Sequence, residues 1–278
     1  MKLTGKTGVV GRWVGRLRHR AATFGRQGVR LLFPPCCVHC DAELLAEADD
    51  LMLCDACCGK LGPPAWTGCP RCGALLAGKT SAGAAGCPVC REVVLRFEQV
   101  IPLGAYDGVL REAVLKTKRL GREDMANALG CLLARRRSAE LSAFRPDLIV
   151  PIPMYWSRRL RRGINSPEIL ARCLGRHLGV PVAQKLLVRT RNTPPQKDLM
   201  PGERFRNVRG AFRLGRGGVP GGPERLQDSR IILVDDILTT GATCSEAAGV
   251  LKRAGVQMVA AAVVAKAPAS ETISRADA

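Results

Sequence analysis

Residues 231–243 read IILVDDILTTGAT. An apolar run delivers two adjacent carboxylates, Asp235 and Asp236, to its end, and a small, hydroxyl-rich turn then opens a helix-compatible stretch. In open α/β sheets ligands bind outside the carboxyl ends of the strands. Backbone N–H groups at such a turn and at the following helix N-terminus cradle phosphate, and threonine hydroxyls add donors. Carboxylates beside a phosphate repel it unless they hold sugar hydroxyls or a metal. The string therefore points to a ribose at Asp235 and Asp236, with Thr239, Thr240, Gly241, Ala242 and Thr243 around its 5′-phosphate. A capped helix after an acidic strand end would account for the topology but not for the whole string.

Outward from this motif, strands and helices alternate. An apolar run at 98–105 leads into a helix at about 108–119, and a second helix covers about 123–137. DLIVPIP at 147–153 is a strand that stops at prolines, followed by a helix at 166–178 and a short segment near 182–189. Residues 190–210 are polar, basic and Pro-containing, which predicts a long mobile loop. A helix at 243–254 and a strand at 256–266 close the series. Continuously apolar strands alternating with helices imply a parallel sheet covered on both faces.

The chain has 278 residues, 43 Lys plus Arg against 24 Asp plus Glu, and a formal net charge of +19. That balance favours polyanionic partners, although a compositional bias toward Arg and Ala would produce it too. Residues 1–35 hold eight basic and no acidic residues, with Val10, Trp13, Leu17 and Phe24 at helical spacings. No apolar run reaches membrane-spanning length and no secretory signal is visible, so a cytoplasmic protein without an integral membrane segment is expected.

Ten of the thirteen cysteines lie between Cys36 and Cys90. In a reducing compartment clustered cysteines are better explained as metal ligands than as disulfides. Four C-x-x-C pairs follow one another: Cys37/Cys40, Cys54/Cys57, Cys69/Cys72 and Cys87/Cys90. Thirteen residues separate the first two pairs and fourteen the last two, an internal repeat of about 32 residues. Each unit fits a four-thiolate zinc ribbon with no open position for catalysis. Cys36 beside Cys37 and Cys58 beside Cys57 leave the register open, and His39 reads as a bystander.

Three further stretches are basic where an anion would need them. VPIPMYWSRRLRRG at 150–163 is a strand, a proline-limited turn and then Arg158, Arg159, Arg161 and Arg162. RTRNTPPQKDLMPGERFRNVRGAF at 189–212 contains Gln196, Arg204, Asn207 and Arg209. YDGVLREAVLKTKRLG at 106–121 carries Lys116 and Lys118. A solvated surface is the alternative for each.

The 231–243 string resembles the phosphoribosyl pyrophosphate (PRPP) signature of type I phosphoribosyltransferases. Together with the eight knuckle cysteines and the Pro-Pro-Gln loop, in this order, it resembles ComF, a bacterial family linked to competence for DNA uptake. The resemblance covers roughly residues 31–267. It implies a double zinc ribbon at 36–92 and an α/β transferase-like domain at 93–267, between a basic segment at 1–35 and a tail at 268–278. It also implies that Arg158, Arg159 and Arg162 serve a pyrophosphate loop, that Gln196, Arg204 and Arg209 sit on a closing loop, and that Mg²⁺ accompanies PRPP. Tyr155, Trp156, Ile164 and Ser166 depart from the family pattern, which touches contacts in the pyrophosphate loop rather than the fold. Two functions follow: transfer or sensing of a phosphoribosyl group with an unnamed acceptor, or a module binding single-stranded DNA or DNA-processing proteins.

Overall fold

The computed structural model describes residues 34–44, 51–76, 86–91, 93–194, 199–215, 217, 219 and 222–268, without the side chains of residues 162, 201 and 223. Residues 1–33 of the basic segment expected at 1–35, and residues 269–278 of the tail expected at 268–278, lie outside the described residues. Helix α1 (Asp55–Leu61) belongs to the cysteine segment. Strand β1 (Gln99–Ala105) leads through α2 (Gly108–Lys116), α3 (Glu123–Arg136) and α4 (Ser138–Ala143) into β2 (Leu148–Pro151). Then come α5 (Trp156–Arg162) and α6 (Ser166–Leu178). A short antiparallel pair, β3 (Leu187–Arg189) and β4 (Phe212–Leu214), encloses α7 (Pro201–Val208). Finally β5 (Arg230–Leu238), α8 (Ala242–Arg253) and β6 (Met258–Lys266) complete the order.

The main sheet runs β1-β6-β5-β2 with every pair parallel. Val234 lies opposite Pro151 on one side and Ala262 on the other. Pro102, which has no N–H to give a ladder, sits in the edge strand β1, where it is tolerated. Because successive side chains point to opposite faces, the apolar strands feed two cores. Ile232, Val234, Ala260 and Ala262 face α2, α3 and α6, while Ile231, Leu233, Val259 and Ala261 face α8 and the β3–β4 pair. The cysteine units divide the same way: Cys37, Cys57 and Leu61 join the first core, and Cys69, Cys72, Cys87 and Cys90 join the second. The two halves of the repeat thus clasp the sheet from opposite faces.

The linker between those halves is held by Arg137, whose side chain is fully buried. Its Nε donates to Pro102 O at 2.8 Å, Nη1 to Pro64 O at 3.0 Å and Arg136 O at 3.3 Å, and Nη2 to Pro63 O at 3.1 Å and Leu103 O at 2.8 Å. Carbonyl dipoles alone satisfy this guanidinium, and burial lowers its pKa. The Pro63–Pro64 bridge is thereby fastened to β1.

One expectation is corrected. Within the stretch predicted as a loop, residues 201–208 form α7. Pro201 suits the first helical turn, the Glu203 carboxylate accepts Met200 N–H at 2.9 Å, Phe205 packs against the second core, and Val208, three residues on, is buried. Polar composition masked this short amphipathic pattern.

Candidate functional site

β5 extends through Asp235 and Asp236 to Leu238, so both carboxylates stand at the carboxyl edge of the sheet. Asp235 Oδ1 accepts the Asp236 N–H at 2.9 Å and Asp236 Oδ1 accepts the Ile237 N–H at 2.8 Å. Lys118 Nζ lies 3.5 Å from Asp236 Oδ2. Burial, with the neighbouring Asp236 charge second, holds the Asp235 carboxyl well above the usual carboxylate range. Gly241 follows in the left-handed region, φ +83°, which lets the chain turn sharply into α8. Asp235, Thr239, Gly241, Ala242 and Thr243 line one small recess, and Thr240 Oγ1 accepts the Ala242 N–H at 3.4 Å. Among the residues expected at the site from sequence, these are the ones brought together.

The basic residues divide. An Arg158 Nη2 hydrogen bond to Thr193 O joins α5 to the 190s loop. Arg159 instead makes a bidentate pair with Glu168 of α6, at 2.5 and 3.0 Å. Arg161 is exposed. The backbone of Arg162 ends α5, but its side chain, like all of Gln196, lies outside the described residues. Arg204 Nε donates to Leu199 O at 3.0 Å and Asn207 Nδ2 to Pro194 O at 3.1 Å, both bracing the loop on α7. Lys116 donates to His39 O at 3.0 Å, on the first cysteine unit rather than toward the carboxylates.

Sequence reading missed Arg189. Its Nη2 donates to Thr193 Oγ1 at 2.5 Å, and its Nε is buried with no hydrogen-bond partner among the described residues. Burial lowers its pKa, nearby Arg158 lowers it further, and Asp235 opposes both. Arg189, Arg158 and Asp235 therefore share one electrostatic neighbourhood. The only signal was its place at the head of the quoted loop.

Beside the Thr239–Thr240 turn, a cavity of about 410 Å³ opens between the second cysteine unit and α7. Val89, Val93, Leu95, Phe205 and Val208 make it largely apolar, and Arg96, Glu246 and Arg209 mark its polar side. Arg96 pairs with Glu246 at 3.0 Å.

The sulfurs of Cys37, Cys40, Cys54 and Cys57 all lie within 4.8 Å of one another, as do those of Cys69, Cys72, Cys87 and Cys90. Separations include 3.7 Å for Cys40–Cys54, 3.6 Å for Cys72–Cys87 and 4.0 Å for Cys69–Cys90. Four sulfurs about 2.3 Å from one tetrahedral zinc stand about 3.8 Å apart, so each group suits one such ion. Cys36 and Cys58 turn away, toward Pro34 O and Leu53 O. The repeat is legible in the hydrogen bonds: Cys37 N to Ala42 O and Asp41 N to Cys37 O recur 32 positions on as Cys69 N to Ala74 O and Gly73 N to Cys69 O. It breaks after that, since α1 follows Cys54 whereas Cys87–Cys90 is a turn.

Residues 160–278 match the phosphoribosyl transferase domain family. Over 196 residues the chain is 33% identical to DNA utilization protein YhgH of Salmonella typhi, covering 69% of this chain and 80% of the relative. The chain belongs to the ComF family. A second ComF relative, competence protein F of Haemophilus influenzae, is 26% identical over 228 residues, covering 80% of this chain and 93% of that one. Among solved structures, the glutamine PRPP amidotransferase of B. subtilis is similar over 50% of this chain and 25% of its own, with 19% identity. The TM-score of that likeness is 0.32. With its parallel sheet flanked by helices, the ComF chain has a type I phosphoribosyltransferase-like fold preceded by a small double ribbon. Among the described residues no helix is long and apolar enough to cross a membrane.

Proposed function

We propose that this ComF protein binds PRPP with Mg²⁺ at the carboxyl end of β5 and transfers or senses its phosphoribosyl group. The observation that carries the proposal is the pair Asp235 and Asp236 standing at the sheet edge directly before the Gly241 turn into α8. Two part-buried carboxylates, one with its pKa raised because burial and its neighbour disfavour the charge, suit a divalent cation and ribose hydroxyls. Thr239, Thr240 and Thr243, with the N–H groups at the start of α8, would hold the 5′-phosphate. Arg158 and Arg189 would face the pyrophosphate and stabilise its departure, the main work in such a transfer. Arg204 and Arg209, on and just after α7, would help close the loop over it. Mg²⁺, when bound, supplies charge neutralisation of the diphosphate.

Each ribbon would hold one structural zinc. On this reading the ribbons, residues 36–92, hold a transferase-like body, residues 93–267, from two sides, in a protein of the cytoplasm. Calorimetry with PRPP and Mg²⁺ tests the central claim. Wild type should bind, and Asp235→Asn and Asp236→Asn should each lose about tenfold to hundredfold in affinity, the worth of one charge-assisted hydrogen bond. Thr240→Val should lose less, because backbone donors remain. Equal affinity across all variants would overturn the assignment.

A second reading, that single-stranded DNA or a DNA-processing partner binds the basic surface, is favoured by one observation. α5 exposes Trp156 and Leu160, 62% and 76% accessible, among its arginines. Pyrophosphate release on adding a nucleobase would support the first reading, and salt-dependent DNA binding without turnover the second.

A further inference from the structure

Helices α3 and α6 make the most extensive helix–helix packing in the described fold. At their crossing stands Gly130, where a Cβ would lie 3.0 Å from both Cβ and Sγ of Cys173 and 3.1 Å from the Leu170 Cα. A side chain at this position would press on both the Cys173 side chain and the Leu170 backbone, so glycine suits the close approach of the two helices. Cys131, the next residue of α3 and one helical turn beyond Asn127, whose O and Oδ1 accept from Cys173 Sγ at 3.5 and 3.1 Å, is thereby set beside Cys173 of α6. Cys173 is 3% exposed and Cys131 is half-buried. Cys173 Sγ donates to Asn127 Oδ1 at 3.1 Å, and Arg176 Nη2 reaches both Cys173 Sγ at 3.5 Å and Asn127 Oδ1 at 3.1 Å. An open cleft lined by Asn127, Arg172 and Arg176 adjoins the pair. These thiols belong neither to the knuckles nor to the acidic strand end.

We propose that Cys131 and Cys173 form a dithiol that hydrogen peroxide converts to a disulfide and a thiol reductant restores. A disulfide usually spans Cα atoms about 5.5–6 Å apart, a separation that helix packing reaches only at a crossing as close as that at Gly130. The nearness of Cys131, with Arg176 assisting from 3.5 Å, brings the Cys173 thiol down to about 7 against the effect of burial. The same contact pushes Cys131 up, so that it keeps the proton. Cys173 thiolate attacks one peroxide oxygen, the O–O bond breaks, and hydroxide leaves and takes a proton as water. Cys131 then gives up its proton and attacks the sulfenic sulfur, the S–S bond forms, and a second water departs. Two thiols and one peroxide become one disulfide and two waters, with two electrons passing from sulfur to oxygen.

The test treats the full-length, metal-containing protein with substoichiometric hydrogen peroxide, follows its zinc content, alkylates, and digests with trypsin. Cleavage isolates Cys131 in the peptide 123–135 and Cys173 in 173–176. The expected product joins these two peptides, disappears on reduction with dithiothreitol, and forms before any zinc is released. Gly130→Ala, which pushes the helices apart, should slow the cross-link severalfold at unchanged zinc content. Cys131→Ser should leave Cys173 as a sulfenic acid that a dimedone probe labels. Complete alkylation of both cysteines after peroxide, a cross-link to a knuckle cysteine, or a cross-link appearing only after zinc loss would each overturn the proposal.

Discussion

If Asp235 binds the ligand as proposed, it is the residue where binding and stability pull against each other. Its carboxyl is held above the usual value of 3.8 by burial and by Asp236. A carboxyl raised on folding binds more protons in the native state than in the unfolded one. Stability of the ligand-free protein should therefore be greatest at low pH as far as this group is concerned, and should fall as pH rises from 3.8 through the raised value. Asp235→Asn keeps the acceptor for the Asp236 N–H while removing the charge. It should raise the melting temperature of the ligand-free protein at pH 7 even as it weakens Mg²⁺–PRPP binding, and scanning calorimetry beside titration reads both. A melting temperature lower than wild type would mean that the charge is better compensated than its surroundings suggest. On the proposed function binding uses the carboxylate, so wild-type affinity should climb with pH beyond the ordinary carboxylate range, and the Asn variant should lack that climb. At Arg189, replacement by Met should cost pyrophosphate affinity about tenfold or more, the loss of a charge-assisted contact. The placement of the acidic pair at the sheet edge was readable because an apolar run ending in two carboxylates marks where a buried strand leaves the core. Arg189 was not, because one arginine among many carries no mark of the burial that sets it apart.

At the scale of elements, the division of the knuckle cysteines into two groups of four was legible in their spacing, and the 32-residue repeat reappears in matching hydrogen bonds. What spacing alone left open was which of Cys36 or Cys37, and of Cys57 or Cys58, turns inward, because register depends on where the first turn begins. Metal analysis should find about two zinc ions per chain. Cys37→Ser or Cys57→Ser should lose one, and Cys69→Ser or Cys90→Ser the other, with the untouched ribbon still loaded. A folded wild-type protein without metal would sink both sites. The strands and long helices were equally legible, since continuous apolar runs and helical periodicity survive in any setting. Helix α7 was hidden, because it is short, charged and stabilised by a cap and two apolar contacts rather than by a stripe. That Lys116 binds the first ribbon while Lys118 meets Asp236 also depends on tertiary placement, which two residues of spacing do not reveal.

Across the whole molecule, the charge of +19 makes a quantitative claim if DNA is a partner. The logarithm of affinity should fall linearly with the logarithm of salt concentration, by about 0.7 per single-strand phosphate contacted. Replacing Arg158, Arg159, Arg161 and Arg162 with Ala should flatten that slope if α5 is part of the surface. An unchanged slope would move the contact elsewhere, and no binding at low salt would remove the second reading. Arg137 carries a different consequence, one for descent. Four of its five acceptors belong to β1 and to the Pro63–Pro64 bridge, and two of those four leave with the ribbons if the chain is shortened to its transferase-like body. The guanidinium would then face a low-polarity interior with bonds missing, a defect on the order of 3 kcal/mol. A body that lost the ribbons would therefore gain stability from a change at this position. In any lineage where the body stands alone, the residue aligned with Arg137 should no longer be arginine.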